Sequence, residues 1–382
     1  MGGHDRIPRG PLHVARFPLH VSTILAATFA ACSHKPPKDF APDPGLIQHI
    51  RSIRIATPSS TACPGELIPA RYYAELDSGG VVTFATEYDE DHPPRLHVMF
   101  LNRTSAEARP RDDGSWRASS DPLASALKGF NLSVFMHAKP SLNAAQSVAP
   151  DYSCVPHAFV FEGPHGYGQR SGGDGPDVVV RLGILQSPYV VRLLVASIEV
   201  NNEEPRYVLA DMATVTPADW LQIVALGGQG GDGESGRRGA KGRDGAAGCP
   251  GAPGGAGGAG GSGGPGGPGG RGGRITIYVP QSEPLLAGLV DARTPGGKAG
   301  DGGNAGSGGE GGKGGAASPA NDRRCAKGAD GADGPSGRPG EDGPHGPPGL
   351  RPEIITLPDS VVFGPSARGE ILELMRLKQG KQ

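Results

Sequence analysis

Residues 227–274 read GGQ GGD GES GRR GAK GRD GAA GCP GAP GGA GGA GGS GGP GGP GGR GGR, with glycine at every third position from Gly227 to Gly272. Two further runs keep this period, seven triplets at 297–317 and eight at 328–351. A strict three-residue period predicts an extended helix with three residues per turn. One side of that helix must lie so close to other backbone that only a hydrogen atom fits. A flexible glycine-rich linker has no reason to keep this phase.

The composition divides the chain. Of 382 residues, 65 are glycine and 38 are proline, and most of the glycine lies in the second half. Residues 46–226 have an ordinary composition and can form a core. The formal net charge of −2, with interspersed charges, gives no reason to expect nucleic acid as a partner. We predict a mainly β protein: β module 1 at 46–165, β module 2 at 166–226, a glycine-triplet region at 227–352 with a β-hairpin insert at 275–296, and a C-terminal strand and short helix at 353–382.

Strand spacing of about ten residues, separated by turn signals, favours antiparallel sandwiches in both modules. In the first module we expect a hairpin around residues 77–80, a strand at 95–101, and a helix at 122–128 that Asp121 caps. The second module should contain strands at 178–185, 190–200, 207–210 and 220–226. Near the C-terminus, four residues predict one apolar helical face: Ile371, Leu372, Met375 and Leu377.

The first 32 residues are typical of an export signal. Arginines precede a short apolar stretch at 21–31, which is too short to span a bilayer. The sequence Ala30-Ala31-Cys32 resembles the lipobox of bacterial lipoproteins. This resemblance implies that Cys32 is lipidated and becomes the first residue, and that residues 33–45 form a tether. The partner would then be a membrane, at the outer membrane or cell surface. Plain secretion after cleavage near Ala31 is the alternative.

Four cysteines remain after Cys32, and an exported chain with an even number favours disulfides. Two lie in the ordinary half, Cys63 and Cys154, and two in the glycine-rich half, Cys249 and Cys325. Three pairings are open, and one pair in each half is the simplest.

The triplets resemble those of bacterial collagen-like proteins, in which three chains wind together. The first run, however, has only four prolines, and its second half repeats Gly-Gly-X, which stabilises a triple helix poorly. Residues 254–274 and 297–317 have equal length, so a folded-back arrangement would place 274 beside 297. Runs two and three would then retrace run one, with Cys249 and Cys325 as a staple. This arrangement is similar to the polyproline-II glycine bundles of snow-flea antifreeze proteins and some phage adhesins. We favour such a monomer, with a collagen trimer as the alternative.

No motif for nucleophilic, zinc or nucleotide chemistry occurs, and we predict no enzyme and no cofactor. The acidic stretch 87–92 is interpreted as a solvated loop, and His97 and His137 as structural residues. Tyr189, Asp219 and Trp220 are assigned to the core or to turns. The expected function is that of an exported, non-enzymatic surface lipoprotein with a structural or adhesive glycine region. The alternative is a binding module for carbohydrate or a surface protein, with the glycine region as a spacer.

Overall fold

The computed structural model describes residues 36–37, 39–215, 220–318, 325–365 and 367–380. The signal segment and Cys32 therefore lie outside the described residues, as does Asp219. The described chain is mainly β, with several antiparallel sheets. None of its helices is both long and apolar enough to cross a bilayer.

The first module combines two short helices with three small sheets. The sheets have the strand orders β1-β4-β5, β2-β10-β9-β6 and β3-β8-β7, and every neighbouring pair is antiparallel except β2 with β10. Large side chains such as Tyr72, Trp116 and Phe130 are fully buried between these sheets. The elements are α1 (Pro44–Gln48), β1 (Ile50–Ala56), β2 (Thr61–Ala62), β3 (Leu67–Ile68), β4 (Arg71–Leu76), β5 (Val81–Thr83), β6 (Leu101–Thr104), β7 (Ala108–Pro110), β8 (Trp116–Ala118), α2 (Pro122–Ala126), β9 (Phe130–Met136) and β10 (Lys139–Pro150).

The second module is a sandwich of two sheets with one helix. A three-stranded sheet has the order β11-β15-β17, a five-stranded sheet has the order β14-β13-β12-β16-β18, and apolar side chains of both form one core. The elements are β11 (Ala158–Glu162), β12 (Asp177–Leu185), β13 (Leu193–Val200), β14 (Arg206–Asp211), β15 (Leu221–Leu226), β16 (Arg274–Pro280), β17 (Val290–Arg293), β18 (Glu353–Leu357) and α3 (Gly369–Gln379).

A strand, a glycine-rich excursion and a second strand form a unit that occurs three times in the second module. Strand β11 leads through 163–176 to β12, β15 through 227–273 to β16, and β17 through 294–352 to β18. The first strands of the three units pair in parallel with one another, and so do the second strands. The antiparallel arrangement expected for this module is therefore wrong for these pairs. Each excursion leaves and re-enters the sandwich at the same end, so equivalent strands must run in the same direction.

The expected hairpin at 275–296 is also wrong. Strand β16 belongs to the five-stranded sheet and β17 to the three-stranded sheet, so the segment arches across the sandwich. The connection between them contains a 3-10 helix, Pro284–Leu289, whose Leu286 and Leu289 are buried in the core between the sheets. Burying these leucines favours an arch over a two-stranded hairpin with a solvated face. The expected boundary at 165/166 moves as well, because β11 pairs with β15 and belongs to the second sandwich.

Several local expectations are confirmed and others differ. Strands β4 and β5 form the expected hairpin, and Asp121 accepts a hydrogen bond from the Leu123 backbone N–H at 3.1 Å at the start of α2. The strand expected at 95–101 contains a 3-10 helix, Val98–Phe100, before β6 begins. In α3, Ile371 and Leu374 are buried while Leu372 and Leu377 are exposed, because the buried face is the one that meets the five-stranded sheet and α2.

The expected tether 33–45 is not free over its second half. The ring of Phe40 lies 4.9 Å from that of Tyr88 and 5.1 Å from that of Phe100, and α1 already begins at Pro44. Burial of one aromatic ring holds this part of the chain against the first module. Only residues before this contact are left to serve as a tether.

The two modules share a core. Leu123 and Ala126 of α2 are fully buried with Leu193 and Leu209 on the outer face of the five-stranded sheet. On the same face, the Arg368 guanidinium bonds to the carboxylates of Asp121 and Glu370. These contacts fix the first module beside the sandwich that carries the glycine excursions.

Candidate functional site

The glycine excursions pack against one another as long, extended segments. We name four of them: segment A (227–248), segment B (251–273), segment C (294–317) and segment D (325–350). Segments A and B are the outward and return paths of one excursion, and C and D those of the next. The shorter excursion, 163–176, covers the base, where Gly166 donates to the Gln229 carbonyl and Gly172 to the Pro268 carbonyl.

Backbone hydrogen bonds join the four segments with a period of three residues. Glycine N–H groups of A donate to C in parallel, from Gly227 to Pro295 through Gly248 to Ala316. Segment B has two rows of backbone N–H donors. The row from Gly251 to Gly272 donates to D, in parallel, and the row from Ala252 to Gly270 donates to A, antiparallel. Those of C donate to B, and those of D to C, both antiparallel. Segments B and C thus contact all the others, whereas A and D do not bond to each other.

This arrangement corrects the expected path. The sequence predicted that run one stays straight and that runs two and three retrace it. Instead, run one itself folds back at Cys249–Pro250, so its two halves are neighbours. The expected pairing of run two with the Gly-Gly-X half of run one is present in a slightly different register, with Gly297 donating to Gly270 and Gly315 to Ala252. Run three pairs with B and C rather than with A.

The number of neighbours explains the composition of each segment. The inner segments B and C each bond to three neighbouring segments, so two of the three positions in a triplet come close to other backbone. Most of their triplets accordingly contain two glycines. The outer segments A and D have one glycine per triplet, apart from GGQ and GGD at 227–232, where the second glycine packs against the shorter excursion. Their other positions carry arginine, lysine and aspartate in both segments and proline in D. A side chain at a contact row would collide with backbone: a Cβ on Gly306 would lie 2.1 Å from the Arg237 carbonyl oxygen.

Aspartates of the outer segments satisfy further N–H groups of segment C. The Asp330 carboxylate accepts from Gly314 N–H at 2.7 Å, Asp333 from Gly311 at 2.8 Å, and Asp244 from Lys313 at 2.8 Å. The backbone N–H of Gly314 holds the pKa of Asp330 below its usual value, and that of Lys313 does the same for Asp244. Both carboxylates are therefore charged at neutral pH and accept these bonds in full.

A disulfide closes the far end of the array. Cys249, at the turn between A and B, bonds to Cys325 at the start of D, with their Cα atoms 4.6 Å apart. The second disulfide joins Cys63 to Cys154 in the first module. Both are the pairs preferred from the sequence.

The array has two unlike broad faces. The outward row of segment B carries small and apolar residues, and the outward row of segment C carries polar and charged ones; both rows are exposed. The first row is Pro253, Ala256, Ala259, Ser262 and Pro265, and the second is Lys298, Asp301, Asn304, Ser307, Glu310 and Lys313.

A cleft of about 890 Å³ lies in the first module, away from the glycine segments. Pro36 and Tyr88 form part of its wall, and Arg103 and His97 contribute to its lining. The Nη1 atom of Arg103 is buried and has no hydrogen-bond partner among the described residues, and the same holds for Nε2 of His97. The sequence assigned His97 to a structural role and did not single out Arg103; no motif marks either residue, because their importance depends on burial and on neighbours at 86–88 and 110–113 rather than on a local pattern.

Burial is the main cause of the pKa shifts of two residues, His97 in the cleft and Tyr72 near it. Burial lowers the pKa of His97, the backbone of Thr86 raises it in part, and the cation of Arg103 lowers it further. The neutral ring accepts from the Met99 backbone N–H through Nδ1 at 3.1 Å, so its proton lies on Nε2. Burial raises the pKa of Tyr72, against the effect of Arg103. The hydroxyl of Tyr72 donates to the Gly114 carbonyl at 2.7 Å.

The remaining residues considered from the sequence do not converge on a site. Within the acidic stretch 87–92, Asp89 lies 3.4 Å from the ring nitrogen of His92, and no group of three potential ligands that could hold a metal occurs in the described residues. Trp220 is buried in the second module, while Tyr189 donates through its hydroxyl to the Lys128 carbonyl at 2.6 Å. His137 lies beside Phe135 on the first module.

No protein-family model, curated protein or solved structure matches this chain. The glycine array and the cleft are therefore the features from which a function can be inferred.

Proposed function

We propose that this protein is an exported, non-enzymatic surface lipoprotein whose β modules carry a rigid bundle of polyproline-II helices formed within one chain. Its role would be structural or adhesive. Cys32 would carry the lipid and attach the protein to the outer membrane or cell surface. The bundle would be the part that projects from the β sandwich.

The single observation that carries this proposal is the use of the triplet N–H groups. In a collagen trimer these groups donate to other chains. Here those of segments A to D donate within the chain, in parallel and antiparallel directions, with the three-residue period of a polyproline-II helix. The same groups are not free to form a triple helix. The base of the bundle continues directly into paired strands, which fixes its direction relative to the sandwich.

Sedimentation velocity on residues 33–382 tests this proposal. We expect a compact monomer with a mass slightly below the 39.0 kDa of the whole chain. A rod-like trimer would refute the bundle, because a triple helix over the 48 residues of run one would extend to about 150 Å. Circular dichroism of the same sample should show a polyproline-II contribution that melts together with the bundle.

The cleft in the first module supports a second candidate function, a binding module. Two buried donors without partners are costly unless a ligand or water satisfies them. In that function the glycine bundle would act as a spacer. A glycan-array screen of residues 33–382 should then find a defined sugar that R103Q, which leaves the shared core in place, binds more weakly, whereas a purely structural protein would bind none.

A further inference from the structure

We propose that the cleft of the first module binds an acidic saccharide through the sugar's carboxylate. This inference rests on the second candidate function and does not depend on the glycine bundle. Three features of the cleft carry it: a guanidinium without a carboxylate partner, a neutral donor that lines the same cleft, and exposed carboxylates together with an aromatic ring.

The cation is Arg103, which lies on β6 and is half-buried. No carboxylate among the described residues forms an ion pair with it, and its buried Nη1 has no partner, while another part of the guanidinium interacts with the Tyr72 hydroxyl. A buried guanidinium is strongly favoured to bind a carboxylate, because two N–H groups of its planar fork match the two oxygens.

The neutral donor is His97, whose side chain is almost completely buried. Its tautomer places a hydrogen on Nε2, which has no acceptor in good hydrogen-bond geometry among the described residues; the backbone of Thr86 interacts with the ring but does not meet that geometry. Both His97 and Arg103 line the same cleft. Together they offer hydrogen-bond donors of the kind that a single anionic group accepts.

The rim differs from the base. Asp113 is already occupied, since Ser115 donates to it at 2.6 Å and Arg111 lies 3.5 Å away. Glu87 and Asp112 are exposed and have no side-chain partner in the described part of the chain. Free carboxylates at the entrance accept hydrogen bonds from hydroxyl groups, and they disfavour ligands that carry more than one negative charge. The partners that these features select carry one carboxylate and several hydroxyls.

An aromatic side chain completes the wall. Tyr88 lines the cleft and is only half-buried, with the ring of Phe40 against it edge-on. Exposed aromatic rings provide rigid, amphipathic contact area at low entropic cost. The size of the cleft falls within the range of ligand sites and suits one or two sugar rings.

The test is a titration of residues 33–382 followed by NMR of the tryptophan indole groups. The chain has only two tryptophans, so the indole region contains two signals. Trp116 donates to the Tyr72 hydroxyl at 2.8 Å and reports on the cleft, whereas Trp220 in the second module is an internal control. The probes are glucuronic acid, glucose, acetate and inorganic phosphate.

We expect glucuronic acid to shift the Trp116 signal and to bind at least about tenfold more tightly than glucose, since a charge-assisted bidentate bond distinguishes them. Acetate should bind more weakly than glucuronic acid because it lacks the hydroxyls. In R103Q the preference for glucuronic acid over glucose should disappear, and in R103K it should be reduced. The matched control is R109Q on β7, an exposed arginine outside the cleft, which should bind as the unmodified protein does.

Four outcomes would overturn the proposal in different ways. Equal binding of glucose and glucuronic acid would refute the carboxylate while leaving a binding module in place. If acetate bound as tightly as glucuronic acid, the proposal that the ligand is a saccharide would be wrong. If phosphate bound more tightly than glucuronic acid, the proposal that the cleft recognises a carboxylate would be wrong. No binding of any probe would refute this inference but not a binding module for a protein ligand. An unchanged melting curve of R103Q and R103K shows that loss of binding is not loss of fold.

Discussion

A Cβ atom added to Gly257 would lie 2.0 Å from the carbonyl oxygen of Gly309, whereas one added to Gly255, two residues earlier, would meet its nearest atom at 3.3 Å. Gly257 belongs to the row of segment B that faces segment C. Gly255 belongs to the row that faces segment A, which Ala252 already occupies with a side chain. The two glycine rows of one segment therefore differ in how strictly they require glycine.

The first prediction follows from this difference. G257A should lower the free energy of unfolding by about 3 kcal/mol, because a methyl group collides with backbone that cannot move without breaking neighbouring bonds. The matched variant G255A should change it by less than about 1 kcal/mol, in either direction, because alanine also reduces the entropy of the unfolded chain. Thermal and urea denaturation of the two variants measure this contrast. Equal destabilisation would contradict the assigned rows.

The second prediction concerns the disulfide at the far end of the bundle. Cys249 and Cys325 are separated by 76 residues, and closing such a loop stabilises by about 4–5 kcal/mol in the chain-entropy model. The double variant C249S/C325S should therefore be less stable. Hydrogen exchange should increase first at the N–H groups of Gly248 and Gly251 and remain slow at the base, near Gly230 and Gly269.

The double variant C63S/C154S is the control, because its disulfide closes a loop of similar length in the first module. It should raise exchange in that module and leave the glycine segments protected. Faster exchange at the base of the bundle in C249S/C325S would argue that the array unfolds as one unit rather than from its tip.

The third prediction is a dependence of bundle stability on pH. Asp244 and Asp330 have a lower pKa in the folded protein than the ordinary value of 3.8. A lowered pKa means that the carboxylates stabilise the fold above the unfolded pKa and lose this effect as the pH falls through the folded pKa. The melting temperature should thus fall below about pH 4, and less steeply in D244N/D330N. D91N, at an exposed position in the first module, should follow the unmodified curve.

The fourth prediction concerns attachment to the membrane. If Cys32 is lipidated, C32S should move from the membrane fraction to the soluble fraction, and mass spectrometry of the unmodified protein should find acyl chains on the N-terminal peptide. C63S is a control for the loss of a cysteine in general. A C32S protein that still sediments with membranes would contradict the lipobox interpretation.

Local patterns in the sequence were sufficient to predict many elements. Asp121, Pro122 and Gly129 predict helix α2 because capping and turn preferences depend on neighbouring residues only. The distribution of the cysteines between the two halves of the chain made one pair in each half the simplest of three possible pairings, and the structure has these pairs. The three-residue period of glycine predicts close backbone contact, since only glycine leaves room for another chain at that distance.

The sequence could not reveal the cleft. Arg103 and His97 lie on different elements, and the loop 110–113 completes the cleft from a third. Their significance depends on burial without a partner, which is a property of the packed structure. By residue type alone, an arginine on a strand and a histidine before a turn are indistinguishable from surface residues.

What the sequence determined by itself was the period of the bundle and the need for glycine, because both are consequences of backbone geometry at each triplet. What only the tertiary structure decided was the partner of each segment. Run one could pair with another chain, with run two alone or with itself. Each of these arrangements would give the N–H groups of run one a carbonyl to which they can donate. The return at Cys249–Pro250 and the parallel strands at the base select one arrangement, because contacts between distant residues fix where each segment begins and ends.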